Sequence, residues 1–182
     1  ISIDSATLMN KVFEIIEAKK IFNYKYSQLK ILIHPNSYVH AIVKFNNGLI
    51  KMLMHDTNMR IPIFNSFYRN YEKKISTKNT NFDILNNLNF SNVDLIKFPV
   101  VNILKKMPNK DSLFETVLVS ANDKLVDLFL NKKITFNQIS TLLFKIIKMK
   151  EFSKFKKLKA KNIDEIIKLN DYVSLKIENL TI

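Results

Sequence analysis

Apolar residues recur in two rhythms along this chain, and the change of rhythm divides it. Residues 6–22 contain no Gly or Pro. At about a hundred degrees per residue, Leu8, Val12, Ile15, Ile16 and Phe22 fill one side of a helix, while Thr7, Asn10, Lys11 and Glu14 share a sector on the other. Ser5 stands just before this run as an N-cap residue. A helix is therefore expected to start at Ala6, with the free N–H groups of its first turn directed at Ser5 and able to receive an anion. From Leu29 the pattern shortens. Leu29–Ile33 reads as a short buried strand that His34-Pro35 ends, because Pro cannot donate to a ladder. Residues 37–45 alternate, with Val39, Ala41, Val43 and Phe45 on one face and Tyr38, His40, Ile42 and Lys44 on the other. Asn46-Asn47-Gly48 supplies a hairpin turn, with the only Gly of the chain where positive φ is wanted, and Leu49–Met54 returns as the partner strand. Pro62 is placed at the first position of a helix reaching about Tyr71.

Residues 72–94 show no clear period and read as an irregular linker, so a boundary is expected near 95. Beyond it the period is helical throughout. Pro99 opens a short helix to about Lys106, and Pro108-Asn109 breaks it. A second helix is expected from Asp111 to Leu130, with Leu113, Val117, Ala121, Leu125 and Leu128 on one stripe. Thr135-x-x-Gln138 forms a capping box for a third, carrying Ile139, Leu142, Leu143, Ile146 and Ile147, and Asn162-x-x-Glu165 caps a fourth, carrying Ile166, Ile167, Leu169, Val173 and Ile177. The fold class is therefore α+β: an antiparallel-sheet portion over 1–71, a linker over 72–96, and a four-helix bundle over 97–182.

Composition changes this picture in two ways. The net charge of +13 raises nucleic acid or an anionic surface as a partner, but the excess is nearly all Lys, with Arg60 and Arg69 the only arginines. Abundant Lys, Asn and Ile with a single Gly is also the mark of a biased genome. The Lys-rich run 148–161, with Phe152 and Phe155 interleaved, reads as a solvated loop, with a nucleic-acid or membrane-surface element as the alternative. The absence of Cys excludes disulfides and thiolate metal sites, and no run of 18 apolar residues exists, so a soluble, cytoplasmic protein without a membrane partner is expected. His34, His40 and His55 lack the tight spacing of a zinc site and are expected to be structural or to lie near substrate.

The candidate chemistry gathers at the start. Asp4-Ser5-Ala6-Thr7-x-Met9-Asn10-Lys11-x-x-Glu14, followed by Ile16-Glu17-Ala18, resembles the signature of the 1-deoxy-D-xylulose 5-phosphate reductoisomerase family. Ile33-His34-Pro35-x-Ser37 and Met59-Arg60-x-Pro62-Ile63 are similar to two further segments of that family, although Thr57 and Asn58 replace its usual Pro and Asp. Phe98-Pro99 and Ser120-Ala121-Asn122-Asp123 are similar to its landmarks in a small C-terminal helical domain.

The resemblance implies an NADPH-dependent, Mg²⁺- or Mn²⁺-dependent enzyme that converts 1-deoxy-D-xylulose 5-phosphate to 2-C-methyl-D-erythritol 4-phosphate in non-mevalonate isoprenoid synthesis. It implies that Ser5, Asn10 and Lys11 hold the substrate phosphate or neighbouring oxygens, that Glu14 is a metal ligand, with Lys11 and Glu14 the catalytic pair, and that Ser37 and Met59 line the substrate pocket. It also implies a homodimer through the sheet domain, located in the cytoplasm or, in a plastid-bearing organism, the stroma. Each residue has a plainer reading: Ser5 as an N-cap, Lys11 and Glu14 as a solvated helix pair, Met59 as a core or interface side chain. The family's Gly-rich nucleotide-binding domain and its Asp-x-Glu metal pair are not in these 182 residues, so a fragment or processed piece is expected, with NADPH held mainly by the missing N-terminal domain. The alternative function is a non-catalytic basic module that binds nucleic acid or an acidic surface.

Overall fold

The computed structural model describes residues 2–68, 73–79 and 81–181. By contacts the chain divides into two compact units, Ile1–Ile31 with Asp94–Ile182, and Leu32–Val93. This division differs from the 1–71, 72–96, 97–182 organisation expected from composition, because the N-terminal helix and the C-terminal helices share one core.

In the first unit, helix α1 (Ser2–Thr7) leads into α2 (Met9–Phe22). A 3₁₀ segment, Pro99–Lys106, precedes α5 (Phe114–Leu130), α6 (Phe136–Ile146), α7 (Lys150–Ser153), a 3₁₀ turn at Lys154–Lys157, and α8 (Ile163–Thr181). Helix α5 is central: it packs on α8, α6 and α7, while the 99–106 segment reaches both α6 and α2. The stripe Leu113, Val117, Ala121, Leu125 and Leu128 is buried as expected, together with Leu143 of α6, Val173 and Ile177 of α8, and Met9, Val12 and Ile16 of α2. Each of these Leu, Val, Ile and Met side chains contributes about 1.5–3 kcal/mol by leaving water.

Several expectations are corrected. Helix α5 begins at Phe114, not Asp111, because the buried Ser112 takes over the start: its hydroxyl accepts from the Phe114 N–H at 3.2 Å and donates to Glu115 at 2.9 Å. On α8, Ile166 and Ile167 are exposed at 39% and 53%; the buried face begins one turn later, at Leu169. The Lys-rich run is not merely a solvated loop. It forms α7 and a 3₁₀ turn that drive Phe152 fully into the core, with Phe155 packed beside it.

The second unit contains two antiparallel ribbons. Strand β2 (Val39–Lys44) pairs with β3 (Ile50–Met54), Ile42 opposite Met52, through a turn in which Gly48 has φ 87°. An irregularity between Val39 and Ala41 breaks the strict alternation predicted there. The expected strand 29–33 shrinks to β1 (Leu32–Ile33), which pairs with β4 (Ser91–Asn92). The stretch read as linker therefore supplies a strand, and also α4 (Phe82–Asn86), capped by the Asn81 side chain, which accepts from Asp83 N–H at 2.9 Å. Helix α3 (Arg60–Phe67) places Pro62 third, where its missing N–H is still one of the orphans of the first turn. The expected helix end at Tyr71 lies outside the described residues. Among the described residues no helix is long and apolar enough to cross a membrane.

Candidate functional site

The polar sector of α2 is real, but its beginning is built differently from the sequence expectation. Ser5 is not an N-cap: it lies inside α1, exposed, with its carbonyl accepting from Leu8 N–H at 3.2 Å. The chain breaks instead at Leu8, which adopts the left-handed region at φ 62°. For a residue with a Cβ this costs about 1–2 kcal/mol. Thr7 offsets part of that cost, since its Oγ1 accepts from the Met9 N–H at 3.3 Å and donates back to the Ile3 carbonyl at 3.2 Å. The break also removes Thr7 from the chemical sector and buries it, while Leu8 and Phe22 leave the packing face and Met9 takes their place.

Within α2, Lys11 and Glu14 come together. The ammonium Nζ donates to both carboxylate oxygens at 2.9 Å, and the two side chains are 44% and 54% exposed. Asn10, on the same turn, is half-buried, and its Oδ1 is sealed from solvent without a hydrogen-bond donor. Leaving such an oxygen unpaired costs about 1–3 kcal/mol. Glu14 is a hard oxygen donor of the kind Mg²⁺ takes. Among the described residues no group of three or more His, Cys, Asp or Glu is placed to hold a metal ion.

The head of this motif is tied to the far end of the unit. Asn122, buried on α5, donates to the Asp4 carboxylate at 2.7 Å across 118 residues, and Ser120 donates to Asn170 at 2.7 Å. Burial and the Asp4 charge raise the neighbouring Asp123 carboxyl above its ordinary range. Sequence reading marked Ser120 to Asp123 only as a landmark. The bond from Asn122 to Asp4 is a long-range contact that no spacing reveals.

Ser37 and Met59 belong to the second unit. Ser37 is exposed at φ 50°, with its N–H bonded to the His34 carbonyl at 3.0 Å. Met59 stands just before α3 and is 67% exposed, which removes the core reading. Among the histidines, His40 and His55 stack at 3.7 Å between ring centroids, and His34 Nδ1 meets the Asn89 carbonyl at 2.9 Å.

Residues 54–174 match the model of the DXP reductoisomerase C-terminal domain, and residues 1–22 match that of the 1-deoxy-D-xylulose 5-phosphate reductoisomerase C-terminal domain. The chain belongs to the 1-deoxy-D-xylulose 5-phosphate reductoisomerase family. Over its whole length it is 66% identical to the reductoisomerase of Pelagibacter ubique (strain HTCC1062), of which it covers 47%. Its fold superposes on the reductoisomerase from Zymomonas mobilis in complex with NADPH with a TM-score of 0.81 at 27% identity, covering all of this chain and 47% of that one. It also superposes on a DOX-P reductoisomerase in complex with NADPH, fosmidomycin and magnesium, with a TM-score of 0.86 at 27% identity, covering all of this chain and 45% of that one. The chain thus spans about half the length of the curated relatives it matches.

Proposed function

We propose that the protein to which this chain belongs is an NADPH-dependent reductoisomerase of the cytoplasm, converting 1-deoxy-D-xylulose 5-phosphate to 2-C-methyl-D-erythritol 4-phosphate. This chain contributes the phosphate-binding face and one metal ligand. The observation that carries the reading is the exposed Lys11–Glu14 pair on one turn of α2, with the half-buried Asn10 beside it. Lys11 anchors the substrate phosphate as a point charge with three donors, and Ser5 adds a hydroxyl. Asn10 donates its side-chain N–H₂ to a substrate oxygen next to the phosphate. Glu14 is the chain's carboxylate for Mg²⁺ or Mn²⁺, and Ser37 and Met59 are the second unit's candidate substrate contacts. When bound, the metal supplies Lewis acidity to the hydroxyl and ketone oxygens, and NADPH supplies hydride.

In this reading the Lys11–Glu14 pair is the resting state. Lys11 would hold a bound phosphate and Glu14 a bound metal in place of each other. The protein works as a homodimer through the hairpin of the second unit.

The test is Glu14→Gln in the complete protein. Turnover at saturating substrate should fall by at least about a hundredfold and the metal requirement should rise. Unfolding should stay within about 0.5 kcal/mol, because an exposed pair at this spacing is worth only a few tenths. Near wild-type turnover would refute the assignment.

A further inference from the structure

The first unit holds a second polar feature, at the other end of α2. A cavity of about 810 Å³ is lined by Lys19, Lys20, Lys110, Lys156, Lys157 and Lys159, with Asp111 as the only carboxylate. Lys19 lies eight residues beyond Lys11, about 12 Å along the helix, and none of Ser5, Asn10, Lys11 or Glu14 lines the cavity.

The lysines converge from three stretches far apart in sequence: the end of α2, the Pro108–Asp111 connection, and the turn after α7. A charge run in one segment does not account for that. Two of the ammonium groups are held in place from behind. Lys19 is only 5% exposed, donates to Asp111 at 3.1 Å and lies 5.7 Å from the Tyr26 ring centroid. Lys156 is half-buried, 4.7 Å over the ring of the fully buried Phe114. One carboxylate against six cations leaves repulsion that a bound anion removes, and concave walls strengthen the field at the centre.

We propose that this cavity binds a small anion carrying two or more phosphate groups. Its volume falls within the range of small-molecule sites. Lysine ammonium groups meet phosphate oxygens from several directions as point charges, without the planar pairing that arginine imposes. No aromatic ring is among the described residues that line the cavity, so nucleobases find nothing to stack on and an extended nucleic-acid strand is the poorer occupant. The inference rests on the cavity and not on the proposed reaction, so its failure leaves that reading intact.

Calorimetric titration of the protein with tripolyphosphate tests it, with sulfate at equal ionic strength as the comparison and a Lys110→Ser, Lys157→Ser double variant as the control. Both lysines are exposed, so the variant keeps its fold. The expected result is one saturable site, at least about tenfold tighter for tripolyphosphate than for sulfate, and weakened at least about tenfold in the double variant. Lysine acylation read by mass spectrometry should show Lys110, Lys156, Lys157 and Lys159 protected, with Lys51 and Lys145 unchanged. Equal affinity for the two anions, equal affinity in the variant, or binding without protection of these lysines overturns the proposal. Tighter binding of single-stranded oligonucleotides that grows with their length overturns it in favour of a nucleic-acid track.

Discussion

Lys11 and Lys19 stand two turns apart on one helix and meet opposite fates. Lys11 stays half in water beside Glu14, three residues on, and that pairing is readable from spacing alone. Lys19 is buried against Asp111, 92 residues away, and no local pattern announces it. The consequences differ accordingly. Asp111→Ala strands a buried ammonium and should cost about 1–2 kcal/mol in urea unfolding, below the full range for a buried pair because Asp111 itself is half exposed. The hydrogen bond from Lys19, and behind it the charges of Lys19, Lys20 and Lys159, hold the Asp111 carboxyl below its ordinary value of 3.8. A lowered folded-state pKa stabilises at pH values above the unfolded one, and the contribution disappears as pH falls through the folded one. Wild type should therefore melt above Asp111→Asn at pH 7, and the two melting curves should converge as the pH drops below 3.8.

The two long C-terminal helices with explicit caps were legible, whereas the short α4 behind its Asn81 cap was not. Thr135 and Gln138 form the capping box that their spacing promises, with Gln138 accepting from Thr135 N–H at 2.7 Å, and Asn162 accepts from Glu165 N–H at 2.9 Å. The hairpin was equally plain, because alternation and Asn-Gly chemistry agree. What escaped was every element set by tertiary contact. The left-handed Leu8 has no sequence signature, so α1 and the displacement of Ser5 could not be seen. Strand β4 exists only because β1 lies beside it. Phe152 was lost among lysines, whose abundance made the segment read as solvated. That segment offers a direct check: Phe152→Ala should cost about 3–4 kcal/mol in denaturant unfolding, whereas Lys154→Ala, at an exposed position two residues on, should stay within about 0.5 kcal/mol.

For the whole molecule, the second unit presents more apolar surface than a two-stranded ribbon can keep in water. Ile42, Leu49 and Leu53 are 38%, 51% and 60% exposed, and such a hairpin is marginal by itself. An isologous two-fold contact needs only one self-complementary patch. The complete protein should sediment as a dimer, and Ile42→Lys should shift it toward monomer at micromolar concentration; a wild type that is monomeric there would refute the contact. The first unit, meanwhile, is assembled from both ends of the chain, with the second unit inserted between them. On the ribosome this imposes a wait. Ile16 emerges 84 residues ahead of Val100, one of its partners in the core, which at about 5–20 residues per second is roughly 4–17 s. A 14-residue helix is barely stable alone in water, so during those seconds Met9, Val12 and Ile16 lack the later partners with which they share this core. The completion of this core during synthesis is therefore timed by the order in which its segments appear, and not by how stable it finally becomes.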